Sequence, residues 1–164
     1  MIANLLLPLI LFCATERNVR TLEFVHTHTS ETMAVAYAVD DALVPDEITR
    51  LNRFLRDHRN GEEIEIDPEL FDLLWTIRER TGVDGPFHLI SGYRSPQTNE
   101  MLRRQGRQVA RNSMHVKGQA IDIRLPGVPT ATLRKIATEL KAGGVGYYPN
   151  SDFIHVDTGR VRYW

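Results

Sequence analysis

Cysteine is nearly absent from this sequence: Cys13 is the only one among 164 residues. A single thiol excludes an intrachain disulfide and any cysteine zinc cluster, so a metal would have to be held by His, Asp or Glu. No long hydrophobic run is present either. Leu5-Leu6-Leu7-Pro8-Leu9-Ile10-Leu11-Phe12 falls well short of the roughly 20 apolar residues a membrane-spanning helix needs. Charge of one sign is not in excess, because 20 Lys and Arg face 21 Asp and Glu for a formal net charge of −1. That balance argues against a general nucleic-acid binder, whose affinity rests on surplus cations. Internal repeats and low-complexity tracts are lacking as well. What is there, 42% hydrophobic and 25% charged residues, is the make-up of one folded domain with one substantial core.

The short apolar run has the length of a secretory-signal core, although no Lys or Arg precedes it. Residues 1–20 are read as a signal or an unstructured leader, and 21–164 as a single domain of a monomeric, exported protein. Residues to about 30 read as irregular. Within them His26 and His28, at i and i+2, share one face if extended, but no third ligand is near in sequence and they read as exposed. His58, among Arg56, Asp57 and Arg59, reads as solvated.

Hydrophobic periodicity then sets out the elements. Met33 to Val39 alternates as a short strand does. Pro45-Asp46-Glu47 opens a helix with acidic first-turn charge, striped by Ile48, Leu51, Phe54 and Leu55 and closed by Asn60-Gly61. A second helix starts at Pro68 behind the N-cap Asp67, carries Leu70, Phe71, Leu74 and Ile77, and stops at Thr81-Gly82. Phe87 to Ile90 reads as a strand, Ser91 to Arg94 as a turn, and Pro96 to about Gln105 as a third helix. Ala120 to Leu125 alternates as a strand. Leu133, Ile136, Ala137 and Leu140 mark a fourth helix ending at Gly143-Gly144. The final strands are Gly146 to Tyr148 and Phe153 to Asp157. The expected class is α+β, a small antiparallel sheet with helices packed mainly from the N-terminal half.

Two segments of the C-terminal half concentrate metal-ligand chemistry. Ser113-Met114-His115 through Asp122 and Asp152-Phe153-Ile154-His155-Val156-Asp157 together offer two imidazoles and a carboxylate, with further carboxylates as candidate bases. A catalytic zinc needs three protein ligands and an open fourth position. Asp122 alone could be a surface residue, since Arg124 shares its face. However, an acid inside an otherwise apolar strand is costly unless paired, and His155 repeats the pattern on a second strand.

The pattern Ser-x-His-x-x-Gly-x-Ala-x-Asp (Ser113 to Asp122) is followed by Gly144-Val145-Gly146-Tyr147-Tyr148 and Phe153-Ile154-His155-Val156-Asp157-Thr158-Gly159. It resembles the zinc D-Ala-D-Ala metallopeptidase superfamily, which includes lysostaphin-type peptidases and hedgehog N-domains. Ile90-Ser91-Gly92-Tyr93-Arg94-Ser95 and Gly143 to Pro149 resemble its murein endopeptidase K branch, from about residue 20 to the end. The resemblance implies one Zn2+ held by His115, Asp122 and His155, and peptidoglycan as substrate in the periplasm or cell envelope. It also implies a substrate-binding role for Arg94 and a general base at Asp152. Positions 152 and 155 of an unbroken strand face opposite sides, so that base requires a loop or bulge at Ser151-Asp152. Asp157 is the rival, as base or as a partner orienting an imidazole. Ser113 and Tyr147 are candidate cleft residues. The implied activity is hydrolysis of stem-peptide cross-links, with meso-diaminopimelate links favoured. A D-Ala-D-Ala carboxypeptidase or dipeptidase, or a non-catalytic zinc or wall-binding module, is the alternative.

Overall fold

A computed structural model describes residues 17–107 and 109–164; the apolar run and Cys13 lie outside them. Among the described residues eight strands form one sheet in the order β3-β2-β1-β4-β5-β7-β6-β8. The strands are β1 (Val19–His26), β2 (Thr32–Val39), β3 (Ala42–Leu43), β4 (Phe87–Ser91), β5 (Ala120–Arg124), β6 (Gly144–Tyr148), β7 (Phe153–Asp157) and β8 (Arg162–Tyr163). Among the described residues four helices accompany them: α1 (Pro45–Phe54), α2 (Pro68–Thr81), α3 (Pro96–Arg104) and α4 (Thr130–Leu140). No helix among the described residues is long and apolar enough to cross a membrane.

The class is α+β, with a sheet wider than the C-terminal strands alone. Its functional centre is antiparallel, β4 with β5, β5 with β7 and β7 with β6. Parallel pairs, β1 with β4 and β6 with β8, extend it on both sides. The segment before residue 30 is therefore not irregular. Leu22, Phe24 and His26 point inward, while Arg20 bonds Asp72 of the helix over Pro68–Thr81 and Asp41. The strand forms because β2 and the distant β4 supply its hydrogen bonds, a non-local condition.

One face of the sheet carries the core. Leu22, Phe24, Phe87, Leu89, Ile121, Ile123, Ile154 and Val156 pack there with Leu70, Phe71, Leu74 and Ile77 of α2 and Leu133 and Ala137 of α4. All are buried, and this alternation of apolar inward and polar outward residues frees the opposite face for chemistry. Helix α1 ends at Phe54, short of the expected Asn60-Gly61. Beyond it Asp57, fully buried, accepts the backbone N–H groups of Arg59 (3.1 Å) and Ser95 (2.9 Å), an arrangement a continuing helix would forbid. Lys141, in the left-handed conformation, closes α4, and Gly144 opens β6 instead of capping the helix.

His28 is exposed as expected, while His26 and His58 depart from the exposed or solvated state expected of them. His26 is buried, and the His28 and His58 rings stack at 4.6 Å. Burial, with Arg59 and the neighbouring histidines, pushes the His58 imidazole down to about 4.

Candidate metal centre

The site is built on the face opposite the core, from β5, β7 and the turns beside them. Register pairs Asp122 with His155 directly across β5 and β7, which brings two chemically active side chains together without any loop. His115 arrives from a 3-10 turn over Met114–Lys117, whose N-cap Ser113 accepts the His115 N–H. Gly118, left-handed at the end of that turn, returns the chain into β5.

Three ligand atoms converge. Asp122 Oδ1 lies 3.2 Å from His115 Nε2 and 2.9 Å from His155 Nδ1, and the two nitrogens are 3.1 Å apart. All three residues are buried, and they are the one such metal-ligand cluster among the described residues.

The outer nitrogens fix the tautomers. His115 Nδ1 donates to the Gly92 carbonyl at 2.7 Å, because a carbonyl can only accept, and this leaves Nε2 with a free lone pair. His155 Nε2 donates to Asp157 Oδ2 at 2.9 Å, which leaves Nδ1 free. In their neutral forms both imidazoles present lone pairs inward, the state a metal ligand requires, although, against burial that works to lower it, the carboxylates of Asp122 and Asp157 push the His155 imidazole up. Burial works to raise the Asp122 carboxyl, but the adjoining imidazoles of His115 and His155 hold it well below the usual carboxylate range. Burial also pushes the His115 imidazole down, favouring its neutral form. Two neutral nitrogens and one carboxylate oxygen fit a divalent ion such as zinc.

Asp157 bonds His155 and is enclosed by its surroundings. It is fully buried, and Oδ1 accepts from Gly144 N, Gly159 N and Arg162 Nη1 at 2.9–3.0 Å. Arg162 Nη2 adds a 2.6 Å contact to Oδ2. A carboxylate with every lone pair engaged orients an imidazole and has none left to take a proton. Replacing Asp157 by Asn is expected to weaken metal affinity by about 10–100-fold. The asparagine carbonyl cannot serve both His155 and Arg162, and calorimetric titration of metal-stripped protein would measure the loss. Affinity equal to wild type would mean that Asp157 does not orient the ligand.

Arg94 stands at the β4 side. A register shift between Leu89 and Ser91 turns Ser91 toward Asp122, as bulges beside active sites re-aim side chains. Gly92 follows, and a Cβ there would lie 2.6 Å from the Leu55 carbonyl, so only glycine lets the turn pass. Arg94 is buried, with Nη2 3.3 Å from Ser91 Oγ and 3.9 Å from Asp122 Oδ2, and Nη1 3.5 Å from Asn99 Oδ1. Its Nε has no partner. A buried guanidinium so sparsely bonded has donors to spare for an anionic or carbonyl group of a ligand.

Asp152 caps the 3-10 turn Pro149–Ser151 in the left-handed conformation, which meets the requirement that it leave strand alternation. Its carboxylate accepts from Thr130 Oγ1 and sits 3.7 Å from Arg124 Nη1, with its side chain 66% exposed. Ser113 serves the His115 turn. Tyr147 is not where the cleft reading put it: its register partner is core-facing Ile154, and Arg134 of α4 covers its ring at 5.1 Å. Alternation puts the neighbouring Tyr148 on the metal face instead.

Other contributors were hidden in the sequence. Asp57 holds Ser95 and hence the Arg94 turn; burial would raise its carboxyl, but hydrogen bonds from Thr98, Ser95 and Arg59 keep it low. Asp67 caps α2 and also accepts from Gln119 and Thr158, tying together the chain segments that follow His115 and Asp157. Only its capping role was readable from local pattern.

The sheet brings together His–Asp–His donors that could hold a metal ion, with the arginine turn beside them, and comparison with known families identifies the class as a peptidase. The chain belongs to the peptidase family described as peptidoglycan L,D-endopeptidase MepK, whose model matches residues 14–164. It is 43% identical over 145 residues to peptidoglycan L,D-endopeptidase MepK of Escherichia coli strain K12, covering 88% of this chain and 80% of that protein. The Shigella flexneri protein of the same name matches equally, and a probable peptidoglycan L,D-endopeptidase MepK of Haemophilus influenzae is 42% identical over 146 residues (88% and 78% covered).

Proposed function

We propose that this protein is a zinc-dependent murein endopeptidase of the cell envelope, hydrolysing the L,D-amide between two meso-diaminopimelate residues in peptidoglycan cross-links. The observation that carries this is the convergence of His115 Nε2, Asp122 Oδ1 and His155 Nδ1 beside an arginine with an unpartnered buried Nε. The names of the relatives supply the bond class.

Zinc bound by His115, Asp122 and His155 supplies Lewis acidity toward the scissile carbonyl and lowers the pKa of the attacking water. The protein's own residues do the rest. Arg94 offers its fork to a substrate carbonyl or carboxylate and thereby orients the amide. Asp152 takes a proton from the attacking water through its carboxylate and returns it to the leaving amine; its left-handed position and exposure support that role. Asp157, locked by Arg162 and two backbone N–H groups, keeps the His155 lone pair aimed at the site.

The test is digestion of defined muropeptide dimers, with products identified by mass spectrometry. Diaminopimelate–diaminopimelate dimers should fall to monomers, chelation should stop the reaction and zinc should restore it. Release of a terminal D-alanine instead would point to a carboxypeptidase. Stoichiometric zinc without any product would leave a wall-binding module.

A further inference from the structure

The metal face continues past His155 into an aromatic surface that the chemistry above does not use. Register sets it out. Gly146 is the cross-strand partner of His155, and Tyr148 is the partner of Phe153. Because side chains alternate, His155, Phe153 and Tyr148 project from the same face, while Tyr147 and Ile154 project from the other. The Phe153 and Tyr148 rings stack at 4.6 Å, 18° from parallel.

Over Gly146 there is no side chain, and Trp164 occupies the place one would take. A Cβ on Gly146 would meet the indole ring at 2.7 Å. The indole is anchored at three points. Its backbone exchanges hydrogen bonds with β6, Trp164 N to Val145 O at 3.2 Å and Tyr147 N to Trp164 O at 3.0 Å. Its Nε1 donates to Tyr148 Oη at 2.9 Å, and the Arg162 guanidinium lies 5.0 Å from the ring centroid. Its centroid is 5.3 Å from that of His155. Despite these anchors, Trp164 is 48% exposed. A fixed, half-exposed indole touching a buried metal ligand is an unusual use of apolar surface, since solvent-facing aromatics of this size mark binding sites.

The location decides which part of a ligand meets this surface. Arg94 follows β4, the ligand triad spans β5 and β7, and the aromatic surface rises from β7 and β6. Polar anchor and apolar floor therefore lie on opposite sides of the metal ligands. From His155 to Phe153 the floor runs two strand residues, about 7 Å, room for one side chain of four or five carbons beside the reacting amide. Of the charges around the floor, Arg162 has both terminal nitrogens held by Asp157, and Arg124 and Asp152, beside Phe153, pair with each other at 3.7 Å. The floor suits a hydrocarbon chain.

We propose that Trp164, Tyr148 and Phe153 form the subsite for the aliphatic side chain of the cross-link residue on the side of the scissile amide away from Arg94. The proposal rests on the endopeptidase reading above. It adds that recognition on this side works through the methylene chain of a diamino acid, with Trp164 as the residue in contact.

Kinetics of Trp164→Ala on a diaminopimelate-linked muropeptide dimer test it. KM is expected to rise about tenfold, the scale of one lost aromatic contact, with kcat and zinc content unchanged. Trp164→Phe, which keeps a ring over Gly146 but loses the bond to Tyr148, should restore KM to near wild type and shows that the alanine effect is not misfolding. A binding readout is independent of turnover. The sequence has two tryptophans, and Trp75 packs on the helix side of the sheet. In a Trp75→Phe protein, muropeptide should therefore shift Trp164 emission directly. An unmoved KM in Trp164→Ala, or emission indifferent to muropeptide while the wild type cleaves it, overturns the proposal. An emission shift in a protein that cleaves nothing would overturn the endopeptidase reading and leave the subsite standing.

Discussion

Replacing Asp122 by alanine is expected to abolish both metal retention and turnover. Asp122 Oδ1 is the vertex of the ligand triangle, 2.9 Å from one imidazole nitrogen and 3.2 Å from the other. Without it, two neutral imidazoles would face a divalent ion with no compensating charge, and Arg94 would lose the carboxylate 3.9 Å from its Nη2. The several kcal/mol that a bound metal contributes to such a reaction correspond to a loss of roughly 1,000-fold or more. The fold should persist, because β5 keeps its backbone ladder to β4 and β7 and the core face of the strand is untouched. Metal content of the purified variant and its cleavage of muropeptide dimers check both parts. A variant that kept stoichiometric zinc and wild-type turnover would refute the assigned triad.

Asp152→Ala is expected to separate catalysis from binding. Turnover should fall about 10²- to 10⁴-fold, the usual range for a general base, while zinc content and melting temperature stay near wild type. Stability should be little affected because the Asp152 side chain is largely exposed and its ion pair with Arg124 is a surface one. Rate measurements at saturating muropeptide, alongside metal analysis, give the result. Unchanged turnover would remove Asp152 from the mechanism. The proton would then need another acceptor, and Asp157, buried and bonded through both oxygens, would be the next to substitute.

Of the candidate site, the His–Asp–His cluster was the most legible part. His115, Asp122 and His155 stand out because donor residues inside apolar strands are costly without a partner, and the lack of usable cysteine leaves few alternatives. The role of Asp157 could not be read. Its position two residues after His155 allows a shared face, but that Arg162, Gly144 and Gly159 close around it is a matter of tertiary contacts. Tyr147 and Tyr148 show the same limit differently. Adjacent tyrosines are indistinguishable in composition, and a one-residue change of register exchanges core and cleft. Asp57 looked like a helix-end charge, yet it is the buried acceptor that holds the Arg94 turn.

Local pattern by itself determined the four helices, the C-terminal strands, the cap at Asp67, and the donor types available to a metal. These depend on neighbours a few residues away, which sequence displays directly. Tertiary structure alone decided that β1 is a strand beside β4, that α1 stops at Phe54, and which nitrogen of each histidine is free. It also placed Trp164 over Gly146. Each of these rests on a hydrogen bond or close approach between segments far apart in the chain, and the partner in such a contact is chosen by register and packing.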